Sequence, residues 1–121
     1  MNSTDDRIGC TSILRSVAGS RAVVALAGEL DVTTEPILGR ELDALLAEHG
    51  SLELDLTELT FMDSCGVRLI GGLDADARRL GGELTVHGAT GQVARVLGLA
   101  RLVAPVLRGG RLPQHRFTRD R

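Results

Sequence analysis

Apolar residues along the chain fall into short runs of strand length and longer stretches with helical spacing. The first two runs, 11–17 and 22–28, flank the turn sequence AGSR, and this arrangement predicts a β-hairpin. A later segment, SLELDLTEL from Ser51, alternates leucines with polar residues, as is typical of a strand with one buried face. The shorter segments ELTVHG and APVLRG predict two further strands.

Three stretches between these strands have the spacing of amphipathic helices. The first is predicted over 35–49, with Thr33 or Thr34 as its cap and Gly50 as its end. The second follows the sequence MDSCG and ends at two glycines, and we expect its charged residues to face solvent: Arg68, Asp74, Asp76, Arg78 and Arg79. The third starts at Thr90 and is expected to bury Val93, Leu97 and Ala100.

The order of these elements, β-β-α-β-α-β-α with an optional last strand, predicts an α/β fold. We expect a single domain with a mixed, partly parallel sheet of four to five strands and helices packed against it. Its core would span about residues 11–107. Residues 1–10 would form a mobile leader, and residues 108–121 an arginine-rich C-terminal tail.

Composition narrows the classes of function. The 121 residues include only 2% aromatics, with neither Trp nor Tyr, so the core must be aliphatic and a stacking platform for bases is missing. The net charge of -2 gives no drive towards direct contact with nucleic acid. No secretory signal and no apolar run of membrane-spanning length are present, which favours a cytoplasmic protein without a membrane span. The two cysteines lack metal-ligand spacing, and we expect neither a metal nor a cofactor.

The segment TFMDSCGVRL, 60–69, carries the most informative polar residues. Asp63 and Ser64 fall where a strand is followed by a helix, and open α/β sheets place their binding sites at such strand ends. One interpretation is structural, with Asp63 or Ser64 capping the helix and Cys65 as a small apolar residue. A second is a phosphate acceptor, because a helix N-terminus tolerates a phosphoserine.

A third interpretation, nucleophilic catalysis by Ser64 or Cys65, requires a base and a group that orients it. The three histidines, His49, His87 and His115, lie in other segments, and the G-x-S-x-G motif of serine hydrolases is missing. We therefore do not expect an enzyme.

The segments GELD (28–31), LTELTFMDSCGVRLIGGL and VARVLGLARL resemble the anti-sigma factor antagonists of the STAS domain family, from about residue 11 to residue 107. The resemblance implies a partner-switching cycle. The unphosphorylated protein would bind an anti-sigma factor, which is also a serine kinase of the GHKL type, and would thereby release a sigma factor. The kinase would switch the protein off by phosphorylation, and a serine phosphatase would reverse it.

The resemblance assigns the phosphorylation to Ser64, the residue directly after the motif aspartate. It also implies a partner-binding surface around that serine, formed by Asp31, Met62, Asp63, Cys65, Gly66 and Arg68. The loops carrying Asp31 and Asp63 should meet if their strands are neighbours in the sheet. Cys65 stands where the family often has Ser, Ala or Thr. The alternative to the phosphorylation switch is thus a STAS module that senses a ligand, or senses redox state through Cys65, without phosphorylation.

Overall fold

The computed structural model describes residues 9–103, with side chains described as far as residue 100. It contains four strands, β1 (Cys10–Ala18), β2 (Arg21–Leu30), β3 (Ser51–Met62) and β4 (Leu84–His87). Three helices alternate with them, α1 (Glu35–His49), α2 (Ser64–Arg79) and α3 (Gly91–Val103). Cys10, predicted as part of the leader, instead opens β1. The predicted strand APVLRG and the tail lie outside the described residues.

The four strands form one mixed sheet in the order β1-β2-β3-β4. β1 pairs with β2 in antiparallel fashion, which confirms the predicted hairpin, and β2–β3 and β3–β4 are parallel pairs. Because β2 and β3 are parallel neighbours, their carboxyl ends lie side by side at one end of the sheet.

The core is a single cluster of aliphatic side chains, as the composition predicted. Leu52, Leu54 and Leu56 are each 0% exposed, which confirms the face assigned to β3. One expectation for α2 is wrong: Asp74 is buried rather than solvent-facing, and its carboxylate pairs with Arg78 at 3.3 Å. A salt bridge to the next turn of the same helix offsets part of the cost of burying that charge.

Of the two predictions for the ends of α1, the stop at Gly50 is confirmed and the side-chain cap by Thr34 is not. Gly50 adopts the left-handed conformation with φ 92°, and its N–H donates to the Leu46 carbonyl at 2.7 Å, which confirms the predicted stop. Thr34 occupies the N-cap position without capping through its side chain, since its hydroxyl donates to the Glu29 carbonyl at 2.8 Å. The free N–H groups at this helix start instead reach Asp31.

Packing explains why glycine stands at residue 28, the first residue of GELD. Its φ is 111°, and a Cβ at this position would collide with the carbonyl oxygen of Gly9. The same carbonyl accepts a hydrogen bond from the Glu29 N–H at 3.2 Å. Glycine therefore lets the chain before β1 approach the end of β2.

Candidate functional site at the start of helix α2

The two acid-bearing loops meet at the carboxyl ends of β2 and β3. Leu30 is paired with Met62 in the parallel register, and the Asp63 N–H donates to the Leu30 carbonyl at 3.3 Å. Asp31 and Asp63 are the next residues on the two strands. The expected proximity of their loops is therefore confirmed.

Asp63 is the N-cap of α2. Its backbone is extended, and its carboxylate accepts a hydrogen bond from the Cys65 N–H at 2.8 Å. Its carbonyl accepts from the N–H groups of Gly66 and Val67 at 3.0 and 3.2 Å. A side-chain cap of this type contributes about 1 kcal/mol. Of the two capping candidates in the sequence, it is the aspartate that caps.

Ser64 is thereby left without a structural task. It is the first residue of α2 and is exposed. Among the described residues its hydroxyl makes no hydrogen bond, whereas the neighbouring Asp63 carboxylate accepts from the Cys65 N–H. The hydroxyl is accessible at the positive end of a 16-residue helix.

Met62 and Gly66, two of the residues predicted to contact a partner, are both buried beneath this surface. Met62 is 0% exposed, because strand alternation turns its side chain inward and leaves its neighbour Phe61 outward. A Cβ on Gly66 would lie 2.5 Å from Met62 Cγ and 3.1 Å from Leu30 Cδ2. The first turn of α2 thus rests directly on the ends of β2 and β3.

Cys65 and Arg68 lie on the side of α2 that faces α1. The Cys65 thiol is half-buried, and Arg68 Nη2 donates to its sulfur at 3.5 Å. Both line a groove of about 280 Å³ whose acidic members are Glu35, Asp43 and Asp76. Burial, with a smaller effect of the charges on Asp76 and Glu35, raises the pKa of Asp43.

Asp31 carries a fixed negative charge. A hydrogen bond from the Thr33 hydroxyl at 2.8 Å, opposed by some burial and reinforced by the N–H groups of Thr33 and Thr34, lowers the pKa of its carboxyl. The charge is therefore present at neutral pH, close to the turn that carries Ser64.

An apolar groove opens on the other side of Ser64, and no local pattern in the sequence predicts it. It encloses about 460 Å³ between α2, the end of β3 and α3, and its walls are formed by Phe61, Met62, Asp63, Ser64, Val67, Gln92, Val96, Leu99 and Ala100. Phe61 and Leu99 are 37% and 59% exposed. A signal was available for Leu99, which lies off the buried stripe of its helix, but the partner wall is known only once α2 and α3 are packed.

Gln92 was also missed by sequence reasoning. Its side-chain amide nitrogen donates to the Met62 carbonyl at 2.7 Å, and its amide oxygen accepts from the Met62 N–H at 3.0 Å. The first turn of α3 is thereby bonded to the residue before the cap of α2.

The two histidines within the described residues lie away from Ser64 and Cys65. His87 lies against Glu53 at 3.0 Å, and His49 lies 3.9 Å from Glu48 at the end of α1. Neither contacts Ser64 or Cys65, as a nucleophile's base must. Within residues 9–103 no three metal-ligating side chains cluster, and no helix is long and apolar enough to span a bilayer.

Comparisons with known proteins agree with this architecture. The family model described as Mlab, STAS domain, matches residues 13–108. The chain therefore belongs to the STAS domain family of anti-sigma factor antagonists.

Its relatives include the anti-sigma-B factor antagonist of Listeria monocytogenes, which is 30% identical over 80 residues, 65% of this chain and 70% of the relative. The crystal structure of an anti-sigma factor antagonist from Mycobacterium paratuberculosis is 28% identical, with a TM-score of 0.64, and covers 77% of this chain and 79% of that one. The unphosphorylated form of the anti-sigma factor antagonist SpoIIAA shares the fold, at 22% identity and a TM-score of 0.67, over 76% of this chain and 82% of its own.

Proposed function

We propose that this protein is an anti-sigma factor antagonist of the partner-switching type, acting in the cytoplasm. Its unphosphorylated form binds an anti-sigma factor that is also a GHKL-type serine kinase, and this binding releases a sigma factor. Phosphorylation of Ser64 by that kinase ends the binding, and a serine phosphatase restores it. The protein supplies the switch, and its partners supply the catalysis.

The observation that carries the proposal is the exposed hydroxyl of Ser64 directly after a capped helix start. A phosphoryl group there meets the positive end of the helix, which tolerates negative charge. The cap depends on Asp63, so modification of Ser64 leaves the hydrogen bond to the Cys65 N–H in place. The fold can therefore persist while the surface changes by about -1.5 to -2 charges.

The surroundings of Ser64 suit a protein partner. On one side lies the apolar groove of about 460 Å³, which can receive an apolar anchor from the partner. At the adjoining strand ends lie the carboxylates of Asp31 and Asp63, which favour a basic partner face. We assign Asp31, Asp63, Cys65 and Arg68 to this contact surface.

Met62 and Gly66 have a supporting role in this proposal, because they hold the first turn of α2 from below. A related precedent supports the switching step: SpoIIAA has been solved both in its unphosphorylated form and in its phosphorylated form.

The test is phosphorylation of the intact protein by its cognate kinase with ATP, followed by intact mass measurement. We expect a gain of one phosphoryl group in the wild type and none in Ser64→Ala. Ser16→Ala, which alters another exposed serine on β1, is the matched control and should be modified normally. Modification that persists in Ser64→Ala at another serine or threonine would remove the assignment.

A further inference from the structure

At its carboxyl end, just before Ser64, β3 is paired with β2 on one side but not with β4 on the other. β4 pairs with β3 from Leu52 to Asp55, whereas β3 continues to Met62. On the other side β2 follows β3 to its end, where Leu30 pairs with Met62. In the described part of the chain, no strand occupies the β4 side at Met62.

The side chain of Gln92 takes that place. One edge of its amide group presents the carbonyl oxygen beside an N–H, and this edge bonds to both the N–H and the carbonyl of Met62, at 3.0 and 2.7 Å. In an antiparallel ladder this two-way exchange is made by a single residue of the neighbouring strand. Gln92 therefore extends the sheet by the equivalent of one residue, from the first turn of α3.

The contact between Gln92 and Met62 lies two residues before Ser64. Met62 is followed directly by the capping Asp63 and then by Ser64, so the backbone held by Gln92 is the one from which Ser64 departs. Gln92 also lies in the wall of the apolar groove, together with Val96 and Leu99 of the same helix. The same two hydrogen bonds thus hold the Ser64 turn and α3 together.

We propose that Gln92 is a positioning residue that holds the Ser64 turn in the geometry required by the kinase; this inference rests on the function proposed above. In the transfer, Ser64 Oγ bonds to the γ-phosphorus of ATP held by the kinase, and the bond from that phosphorus to the bridging oxygen of ADP breaks. ADP leaves, and a base of the kinase takes the hydroxyl proton. The attack requires alignment of Oγ with the leaving oxygen, which a loosely held turn provides less often.

The first experiment uses the protein alone. Amide hydrogen exchange measured by NMR should show a loss of protection of about tenfold at the Met62 N–H in Gln92→Leu, because one intramolecular hydrogen bond is removed. The Leu54 amide, where β3 is paired with both β2 and β4, is the internal reference and should keep its protection.

Gln92→Glu is a second variant that keeps the length of the side chain. Its carboxylate still accepts from the Met62 N–H but has no proton to donate to the Met62 carbonyl. Protonation at acid pH restores a donor, so the carbonyl carbon resonance of Met62 should shift with the titration of the introduced carboxyl. A role limited to filling space predicts no such shift.

The second experiment measures phosphorylation kinetics with the cognate kinase. Gln92→Leu should lower kcat about tenfold with KM changed less than about twofold, because positioning rather than docking is lost. Arg95→Ala, on the exposed side of the same helix, is the matched control and should keep both constants.

The outcomes separate the two proposals. Unchanged Met62 protection, or lost protection with wild-type kcat, overturns the positioning role alone. A wild type that the kinase cannot phosphorylate overturns the proposed function and the kinetic role of Gln92 with it. The exchange data then decide by themselves whether Gln92 holds the turn.

Discussion

Asp63 and Ser64, although adjacent, have different roles: Asp63 caps the helix, and Ser64 presents the exposed hydroxyl. The aspartate satisfies the helix N–H groups, with its carboxylate 2.8 Å from the Cys65 nitrogen, and the serine stays exposed. Charge added at residue 64 therefore changes the surface without removing a bond of the fold. This separation lets a mimic of the phosphoserine be tested for binding alone.

Replacing Ser64 by Glu should weaken binding of the anti-sigma partner about a hundredfold relative to Ser64→Ala. The added charge follows Asp63 in the chain and lies near the loop of Asp31, and it must be desolvated when the partner docks. A loss of about 3 kcal/mol corresponds to that factor. Calorimetric titration of both variants measures it, with circular dichroism as the check that the fold is kept. Equal affinities of the two variants would mean that charge at this residue does not control the partner.

Cys65 tests the alternative in which the protein senses redox state. Its thiol is half-buried against Arg68, and Ser is nearly isosteric, so Cys65→Ser should bind the partner within roughly 1 kcal/mol of the wild type. The measurement is the same titration, repeated after mild oxidation. Binding that oxidant abolishes in the wild type but not in Cys65→Ser would favour redox sensing instead.

At the scale of elements, the contact between α2 and the strand ends decides how firmly the site is built. Gly66→Ala should lower the free energy of unfolding by about 1 to 3 kcal/mol, because the new Cβ would lie 2.5 Å from Met62 Cγ. Gly72→Ala is the control on the same helix, where a Cβ meets nothing within 4 Å, and it should stabilise by about 0.5 to 1 kcal/mol. Urea unfolding of both variants gives the two values, and equal effects would show that the close approach at Gly66 is unimportant.

Elements with a strong hydrophobic period were predictable from the sequence, and so was the turn between β3 and α2. The helix predicted over 35–49 has those bounds, because its leucine spacing, Pro36 and Gly50 are all local signals. Two predictions that failed have different causes. Asp74 is buried by packing between segments that are distant in the chain. Thr34 does not cap through its side chain because of a local contact, since its hydroxyl donates to the Glu29 carbonyl five residues earlier.

The candidate site likewise combines features that the sequence predicts with features that depend on tertiary packing. The proximity of Asp31 and Asp63 followed from a parallel pairing of β2 and β3, which the order of elements indicated. The apolar groove and the bonds of Gln92 to Met62 depend on where α3 docks, and residue 92 is thirty positions away from its partner. A single glutamine in a helix carries no local mark of such a contact.

For the whole molecule, acid should weaken the fold through its hydrogen-bonded carboxylates. Burial would raise the pKa of Asp55, but hydrogen bonds from the Thr57 hydroxyl and N–H and the charges of His87 and Arg15 outweigh it, so the pKa is lowered; that of Asp31 is lowered as well. A carboxyl with a lowered pKa in the folded state contributes stability above its unfolded pKa of about 3.9, and this contribution is lost as the pH falls through the folded pKa. The free energy of unfolding should therefore decrease below about pH 4.

Urea unfolding between pH 2 and pH 7 checks this dependence. Asp55→Asn keeps an oxygen for the Thr57 hydroxyl but cannot titrate, so its loss of stability in acid should be smaller than that of the wild type. Asp43→Asn is the control of opposite sign. Because the pKa of Asp43 is raised, its removal should make the loss in acid larger. An unchanged slope in both variants would refute this account.

The parallel pairing of β2 with β3 also determines which molecules can take part in signalling. Asp31 and Asp63 are 32 positions apart in the chain and meet only when Leu30 and Met62 are paired across the sheet. Under the proposed function, a kinase that contacts both loops distinguishes a finished protein from a nascent or unfolded chain. A synthetic peptide of residues 56–76 contains Ser64 but lacks β2 and α3, and we expect its kcat/KM to be at least about a hundredfold lower than that of the intact protein. Chains still being made, or unfolded by stress, would then neither be phosphorylated at the expense of ATP nor bind the anti-sigma factor. Only folded copies of the protein would take part in the switch.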